Sequence, residues 1–568
     1  MNVNTLMQSP ALFRSPEEVM APDRLGAMHQ TRISFVRTLI RRMAKENWQV
    51  TQNLWDISPQ GFGTAIYRLQ TPDNVYHLVV FSDAIKDEER NDRVIAEKWD
   101  VTFALVKGEI SESDLTQLRD NVPLQEAGRN SSRVLVLARA NKSVRVFEHV
   151  VTSLAQGHQP DPNQLANVGY ILRTTAVYGN GKFGIADFET LDDNPDFNLS
   201  FSAQMCAVYI LRQFSLDWVH ALARHQGGDS ATTMSEPLQR YLGVGNATGL
   251  GMAPYLIKHP CVVDQWLSQR EAAVTSVASQ PVDATKALLF SNLARRAQRH
   301  LSEVVTIDEE QHSLNIAASG ELQTLLNNIP AYHETGALWG DIIIDSRKYG
   351  LETQEIVLSC ILELYPDRVD SVEKEMNTSE ELSLDPGITL QQMCLALETH
   401  YRWAIDTDFS KQENRYWFWY RSQDKEEPRL GVRGVEQGEE RELPLDIGRQ
   451  VNTFYHAITQ QDGNGSLAAF LLAQPQYRAI ARRCWTLSKR PMGEIQMNVL
   501  AENSRPMDLL RCKLAMFGAT KFDPRSDRWV RVTLFQGAPL TNELHEGEWL
   551  FPLLPQDGCE KNTREAAQ

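Results

Sequence analysis

The order of strand-type and helix-type patterns along the chain most constrains its fold. β-Branched and aromatic residues flank the turn formers of residues 71–74, which is typical of a β-hairpin over residues 64–81. Apolar residues recur at helical spacing from Ser202 to His225, and strand patterns return near residues 528–536. The sequence therefore predicts a multidomain α+β protein with an N-terminal antiparallel sheet with helices, a mainly helical middle and a C-terminal α+β domain.

Chain length and breaker residues set the predicted domain limits. A chain of 568 residues exceeds the size at which a single hydrophobic core keeps growing. The segment GHQPDP at residues 157–162 and the polar, acidic segment at residues 376–387 both favour a break in regular structure. The predicted division is a tail at 1–30, an α+β domain at 31–157, a mainly helical domain at 158–375, an α+β domain at 376–556 and a tail at 557–568.

Charge and cysteine content narrow the class of partner. The net charge is -16, so the chain as a whole repels nucleic-acid backbones and anionic lipid surfaces. The N-terminus lacks a basic segment followed by an apolar run, and no stretch approaches the length of a membrane span. The seven cysteines are scattered, without a C-x-x-C pair. We expect a soluble, cytoplasmic protein with a small anionic molecule as partner, no nucleic acid, no membrane and a possible homo-oligomeric state.

The most unusual segment is rich in glycine and spans residues 243–259. Glycines allow backbone N–H groups to turn toward a ligand, as anion-binding loops require. No Gly-Lys-Ser or Gly-Lys-Thr closes the segment, so the phosphate-loop pattern is not met. The alternative interpretation is a tight connector between helices. The predicted substrate-binding residues of this loop are Gly245, Asn246, Thr248, Gly249 and Lys258, and His259 is a predicted catalytic residue.

A second set of candidate catalytic residues lies on the predicted 202–225 helix. Asp217, His220 and Arg224 share one face of that helix. A carboxylate beside a histidine can hold the ring in the tautomer of a general base, although an ordinary salt-bridged helix face has the same spacing. Cys261 is the best-placed candidate nucleophile, and a buried structural thiol is the alternative.

Two glycine motifs precede this helix. Residues 179–184 match G-x-G-x-x-G, but a helix before the motif and a strand after it favour a helix C-terminus over a dinucleotide site. Gly61-Phe62-Gly63-Thr64 and the segment from Gly184 to Phe188 loosely resemble the kinase-like phosphotransferases. That resemblance implies a magnesium-binding role for Asp187, but no His-x-Asp element stands upstream. A structural aspartate in a turn is the alternative.

Two functional hypotheses follow. The first is an enzyme of small-molecule metabolism that acts on an anionic substrate near residues 243–259, with its reaction type and cofactor left open. The second is a non-catalytic interaction protein that binds an acidic partner or nucleic acid through the basic, aromatic region 475–531, where twelve Lys or Arg face five Asp or Glu. Docking of this region onto acidic domains of its own chain or onto another subunit explains the same charge.

Overall fold

The structure is a computed structural model that describes most of the chain. The described residues are 14–27, 29–84, 99–125, 129–177, 194–197, 201–249, 256, 259–373, 380–411, 418–421, 428–431, 443–444, 447–494, 506–525, 529–545, 547 and 549–555.

Strands occur in the N-terminal half and again toward the C-terminus. In chain order they are β1 (Gln49–Ile57), β2 (Gly63–Gln70), β3 (Val75–Ser82), β4 (Val101–Lys107), β5 (Val134–Lys142), β6 (Tyr170–Thr174), β7 (Gly243–Gly249), β8 (Phe418–Arg421), β9 (Pro428–Gly431), β10 (Leu443–Pro444), β11 (Lys521–Pro524) and β12 (Trp529–Leu534).

Helices dominate the middle of the chain. In chain order they are α1 (Pro16–Val19), α2 (Pro22–Gly26), α3 (Phe35–Lys45), α4 (Glu112–Asn121), α5 (Phe147–Ala155), α6 (Pro162–Val168), α7 (Ser202–Gly227), α8 (Glu236–Tyr241), α9 (Pro260–Ala278), α10 (Ala284–Glu303), α11 (Glu309–Glu334), α12 (Trp339–Ser346), α13 (Leu351–Glu363), α14 (Pro366–Glu373), α15 (Leu390–His400), α16 (Arg402–Ile405), α17 (Ile447–Thr459), α18 (Leu467–Ala473), α19 (Arg478–Leu487) and α20 (Pro506–Phe517).

The chain forms two compact units, each assembled from separated stretches. The helical unit contains Met1–Ser34, Gly249–Ser291 and Thr324–Met516, and the sheet unit contains Phe35–Thr248, Asn292–Gln323 and Phe517–Gln568. The predicted α+β class with several domains is confirmed. The predicted domain limits divide the chain into contiguous blocks, whereas each of these two units combines separated stretches. The predicted limits therefore stay predictions.

A mixed sheet of nine described strands organises the sheet unit. Its order is β1-β2-β3-β4-β5-β6-β7-β12-β11. Neighbouring strands from β1 to β6 are antiparallel, as the hairpin pattern predicts, whereas β7 runs parallel to β6. The antiparallel pair β11 and β12 completes the sheet beside β7. Strands from the last part of the chain therefore belong to the same sheet as the N-terminal strands.

Strands β3, β4 and β5 are buried on both faces because they carry apolar residues at most positions, whereas the edge strand β1 is largely exposed. Ile66, Val79 and Phe81 pack with Leu118 of α4 in one buried cluster. The adjacent residues of these strands point to the opposite side, where α7 packs. Trp218 of α7 is fully buried there, at the centre of several aromatic contacts. The helix predicted from Ser202 to His225 is thus confirmed as α7, and it covers this side of the sheet.

The helical unit packs α9 against α12, α13 and α14. Among the described helices, none combines the length and apolarity that crossing a bilayer requires.

A buried ion cluster joins the N-terminal segment of this unit to α9 and α13. Arg14 Nε donates to Glu271 Oε2 at 2.8 Å, and Arg24 Nη2 lies 2.8 Å from Glu355 Oε1. Arg270 pairs with both glutamates. None of these five side chains is more than slightly exposed. Since water cannot solvate these charges, each must keep its partners.

We predict that replacing Arg14 by Met lowers the free energy of unfolding of the helical unit by about 1.5–3 kcal/mol, because buried Glu271 loses the charged hydrogen bond from Arg14 and keeps only its pair with Arg270. The matched control is Arg402→Met, which removes an exposed pair with Asp406 whose side chains are 62% and 61% exposed. This control should cost about 0.5 kcal/mol or less. Urea unfolding followed by circular dichroism measures both, and equal effects of the two substitutions would contradict the prediction.

Candidate functional site

The predicted glycine-rich loop is a strand over residues 243–249, so this part of the prediction is wrong. Its glycines allow the neighbouring strands to approach closely. A Cβ atom on Gly243 would lie 2.2 Å from the carbonyl oxygen of Leu534, and one on Gly245 would lie 2.5 Å from the ring of Tyr170. The segment belongs to the hydrogen-bonded ladder of the sheet, between β6 and β12. Glycine is needed here because neighbouring chains approach, as in other strand interiors.

The other residues of the predicted substrate site are distributed along this segment. Asn246 is buried in β7 opposite Thr174 of β6. Thr248 and Gly249 belong to the last part of the same strand. Lys258 lies outside the described residues. His259 precedes α9 in the helical unit, and its carbonyl oxygen accepts a hydrogen bond from Val263 N at 3.1 Å. Their roles in binding and catalysis stay predictions.

Asp217 lies on α7, as predicted, and its carboxylate faces the sheet. Its Oδ2 accepts a hydrogen bond of 2.6 Å from the hydroxyl of Tyr67 on β2. Its Oδ1 accepts one of 3.0 Å from Gln213. Burial raises the pKa of Asp217 above its usual range. These contacts tie α7 to the sheet.

His220 makes a separate contact on the same helix. Its Nε2 accepts a hydrogen bond of 3.2 Å from the backbone N–H of Met234. Burial, together with the nearby Arg224, lowers the pKa of His220 to about 4. The ring is therefore neutral at pH 7, and Asp217 directs both of its oxygens to other partners. The catalytic role of the pair stays a prediction.

The remaining motifs have packing explanations or lie outside the described residues. Gly61 adopts a positive φ of 89° in the β1–β2 turn, and its carbonyl oxygen accepts from Trp218 Nε1 at 3.1 Å. The residues from 179 to 184, and Asp187, lie outside the described residues. Cys261 is buried, and burial and then Glu380 raise the pKa of its thiol to about 11. A thiol with a raised pKa is a poor nucleophile at neutral pH.

Most of the described cations in the region 475–531 bind to the chain itself. Arg483 makes two hydrogen bonds with Glu494, of 3.0 and 2.8 Å. Arg490 Nη1 donates to Asp264 Oδ2 at 3.2 Å. Further internal partners belong to Arg478 (Leu471 O), Arg482 (Leu382 O), Arg511 (Glu352) and Arg525 (Asp523). These interactions favour the interpretation in which the basic region docks onto acidic parts of its own chain.

A pocket in the sheet unit brings together titratable side chains from distant parts of the sequence. It lies where β11 begins and β12 ends, and its free space of about 10 Å³ has room for about one water molecule. We call it the Lys521 pocket. Its lining residues are Ala166, Tyr241, His300, Glu303, Val304, Lys521, Gln536 and Pro552.

Lys521 is the most perturbed group of this pocket. The side chain is 3% exposed, and its Nζ donates a hydrogen bond of 2.6 Å to the carbonyl oxygen of Ala166 in the last turn of α6. Burial lowers the pKa of Lys521 to about 7, although Asp523 on the same strand acts in the opposite direction. The amine is therefore uncharged in a large fraction of molecules at neutral pH.

One wall of the pocket is α10, against which residues 549–555 lie. Nδ1 of His300 donates to the carbonyl oxygen of Pro552 at 2.9 Å, which makes Nε2 the lone-pair nitrogen of the neutral ring. Glu303 accepts from Leu554 N at 2.9 Å and from Arg299 Nε at 2.6 Å. The spacing of His300 and Glu303 puts both on one helix face. Glu303 therefore links α10 to residues 549–555.

Tyr241 and Gln536 form the opposite side. The side chain of Gln536 hydrogen-bonds the Tyr241 hydroxyl, and its Oε1 accepts from Thr520 Oγ1 at 3.0 Å. With its oxygen taken by Thr520, the Gln536 amide is the donor to Tyr241. Burial raises the pKa of Tyr241 above its usual range. The phenol is thus protonated at neutral pH and can donate its own proton.

The pocket combines an amine, an imidazole and a phenol in a buried setting, which suits proton transfer or nucleophilic chemistry. Within the described residues, no group of His, Cys, Asp and Glu side chains is arranged to hold a metal ion. No protein-family model, no curated protein and no solved structure matches this chain.

Few features of the sequence indicate the Lys521 pocket. Tyr241, His300 and Lys521 stand far apart in the chain and share no local motif. Tyr241 and Lys521 meet because β12 pairs with both β7 and β11, and helix α10 brings His300 to the same pocket. The one local signal is Lys521 itself, a lysine that opens a short strand beside Phe522 and is followed by the alternating pattern of residues 529–534.

We predict that Tyr67→Phe lowers the free energy of unfolding by about 1–3 kcal/mol, because half-buried Asp217 loses a short hydrogen bond. Since Tyr67 stabilises the ionised carboxylate, the loss should be larger at pH 8 than at mildly acidic pH. Thermal unfolding of both proteins across this range measures it. Tyr477→Phe is the control, because the Tyr477 ring stacks on Phe470 and its hydroxyl makes no hydrogen bond within the described residues. A loss that is equal at all pH values would count against an ionised Asp217.

A second prediction concerns Lys521→Met. The folded state lowers the pKa of Lys521 to about 7, so it binds a proton less readily than the unfolded chain does. The stability of the wild type relative to this variant should therefore rise with pH above about 7, by at most about 1.4 kcal/mol per pH unit. Denaturant unfolding at a series of pH values measures the slope. Lys286→Met, which removes a lysine bound to the carbonyl oxygen of Leu364, is the control and should give a flat difference. A flat difference for Lys521→Met as well would rule out the lowered pKa.

Proposed function

We propose that this protein is an enzyme of small-molecule metabolism whose substrate binds in the Lys521 pocket, with Lys521 acting as an uncharged amine. The observation that carries the proposal is the convergence of Lys521, Tyr241 and His300 on one pocket. Strongly perturbed titratable groups in a concave site are a common property of enzyme active sites.

The chemistry of these groups supports acid–base or nucleophilic catalysis. An uncharged lysine can accept a proton or attack an electrophilic carbon. A protonated phenol can donate a proton, and a neutral imidazole can accept one. Each group is held by hydrogen bonds to the surrounding backbone or side chains, so its position is set before a substrate binds.

The size and charge of the pocket suggest the class of substrate. The free space of about 10 Å³ is room for one water molecule, so the proposal requires a substrate of a few non-hydrogen atoms and a movement of the lining side chains when it binds. A carboxylate on that molecule would pair with Lys521 in its protonated form. We therefore keep the expected anionic substrate in the proposal, but we place its site in the Lys521 pocket and not in the 243–259 segment.

The described cysteines support a reducing location. Six of them are free thiols, and most of these are buried. Reduced cysteines are typical of cytosolic proteins, so we include a cytoplasmic location in the proposal. The rival role as an interaction protein has less support, because most of the described cations of region 475–531 have internal partners.

A thermal-shift screen tests the proposal, since a ligand that binds only the folded state raises the melting temperature. The panel consists of small aldehydes, 2-oxo acids and carboxylic acids. We expect a positive shift with at least one compound in the wild type and in Lys286→Met, and no shift in Lys521→Met. Silence across the panel, or a shift that persists without Lys521, would overturn the proposal.

A further inference from the structure

We propose that residues 14–27 form a strap that opens and closes over an acidic surface of the helical unit. The strap contains α1 and α2, and the surface is made by α9 and α13. This inference concerns the helical unit and does not rest on the proposed function. It follows from the way in which charge is divided between the strap and the surface.

The strap presents cations to a surface that presents anions. Its two arginines are buried, Arg14 against Glu271 of α9 and Arg24 against Glu355 of α13. The acidic residues of the strap are all exposed, and they are Glu17, Glu18 and Asp23. Charge complementarity therefore selects the face of the strap that meets the surface.

The surface stays compensated when the strap is away from it. Arg270 of α9 pairs with both Glu271 and Glu355, so neither carboxylate depends on the strap alone for a cation. Water that enters between the strap and the surface hydrates the separated ions, and this hydration offsets much of the attraction that is lost. Because of this offset, the ion pairs hold the strap closed less firmly than apolar contacts of the same size would.

The strap has little structure that would persist without the surface. Helix α1 has four residues and α2 has five, and helices this short are not stable alone in water. Val19 and Leu25 are fully buried and favour the closed form, which is the form seen in the structure. The strap therefore opens as a flexible segment, and its apolar residues together with its two arginines draw it back.

The chain is anchored just after the strap. The indole Nε1 of Trp266 in α9 donates to the carbonyl oxygen of Ile33 at 3.2 Å. Arg32 makes two hydrogen bonds, of 2.7 and 2.9 Å, with Asp370 of α14. These contacts hold residues 32–33 on the helical unit while the strap moves, so opening does not require the unit to unfold.

Carboxyl footprinting of the full-length protein tests the strap. A carbodiimide couples glycine ethyl ester to the carboxylates that water reaches, and mass spectrometry after digestion gives the labelling rate of each residue. Glu271 is the reporter, because its side chain is 1% exposed in the closed form. Asp264 is the matched control, because it is also buried on α9 but binds Arg490 and the backbone N–H of Met492 and not the strap.

Arg24→Met removes the strap arginine that pairs with Glu355 and leaves the partners of Glu271 in place. We expect the labelling rate of Glu271 to rise by about 10-fold or more, since the closed form loses a charged hydrogen bond. The rate of Asp264 should equal that of the wild type. Hydrogen exchange should become faster in residues 16–26 and stay unchanged in α9 and α13. Arg402→Met, which removes an exposed ion pair, should change none of these rates.

Equal increases at Glu271 and Asp264 would show that the helical unit loosens as a whole, and would overturn the strap. An unchanged rate at Glu271 would also overturn it, since Arg24 would then not hold the segment closed. Circular dichroism shows whether Arg24→Met is folded. If that variant is unfolded, Arg24→Lys takes its place with the same two outcomes, because lysine keeps the charge and lacks the forked donors of the guanidinium.

Discussion

The sheet unit depends on one close backbone approach, the contact of β7 with β12. Gly243 has no side chain, so the carbonyl oxygen of Leu534 can pass where a Cβ atom would lie. Any larger residue at this point would push the two strands apart. The contact matters for the proposed function because Tyr241 precedes β7 and Gln536 follows β12. The hydrogen bond between these two side chains, and the pocket that they line with Lys521, exist only at this strand separation.

Sequence patterns correctly predict the elements that are determined by residues close together in the chain. The hairpin of residues 64–81 and the long helix after Ser202 are confirmed because their apolar periodicity matches the surface each of them buries. The glycines that follow Gly243 predict a loop, because glycine permits many backbone conformations. Its neighbours in the sheet, Tyr170 and Leu534, select the extended one. Propensity was overridden by tertiary packing, which a single sequence does not display.

The candidate site was harder to predict for a similar reason. Asp217 and His220 have the spacing of a catalytic pair, yet Tyr67 from another strand binds the carboxylate and Met234 from a later segment binds the ring. Lys521 and Tyr241 carry no motif, and their proximity arises from strand order, while His300 reaches the pocket from helix α10. The basic region showed its charge plainly, but whether a cation binds a partner or its own chain depends on where glutamates such as Glu494 lie in three dimensions.

The strand order also has a consequence for synthesis. A ribosome makes β7 well before β11 and β12, and between them it makes most of the helical unit. Until the last strands emerge, β7 has an open edge with unpaired backbone groups, which is a template for wrong pairing with other chains. The growing chain must therefore keep this glycine-rich edge from pairing with other chains during much of its synthesis. We expect a product truncated before Lys521 to aggregate through this edge and to be degraded.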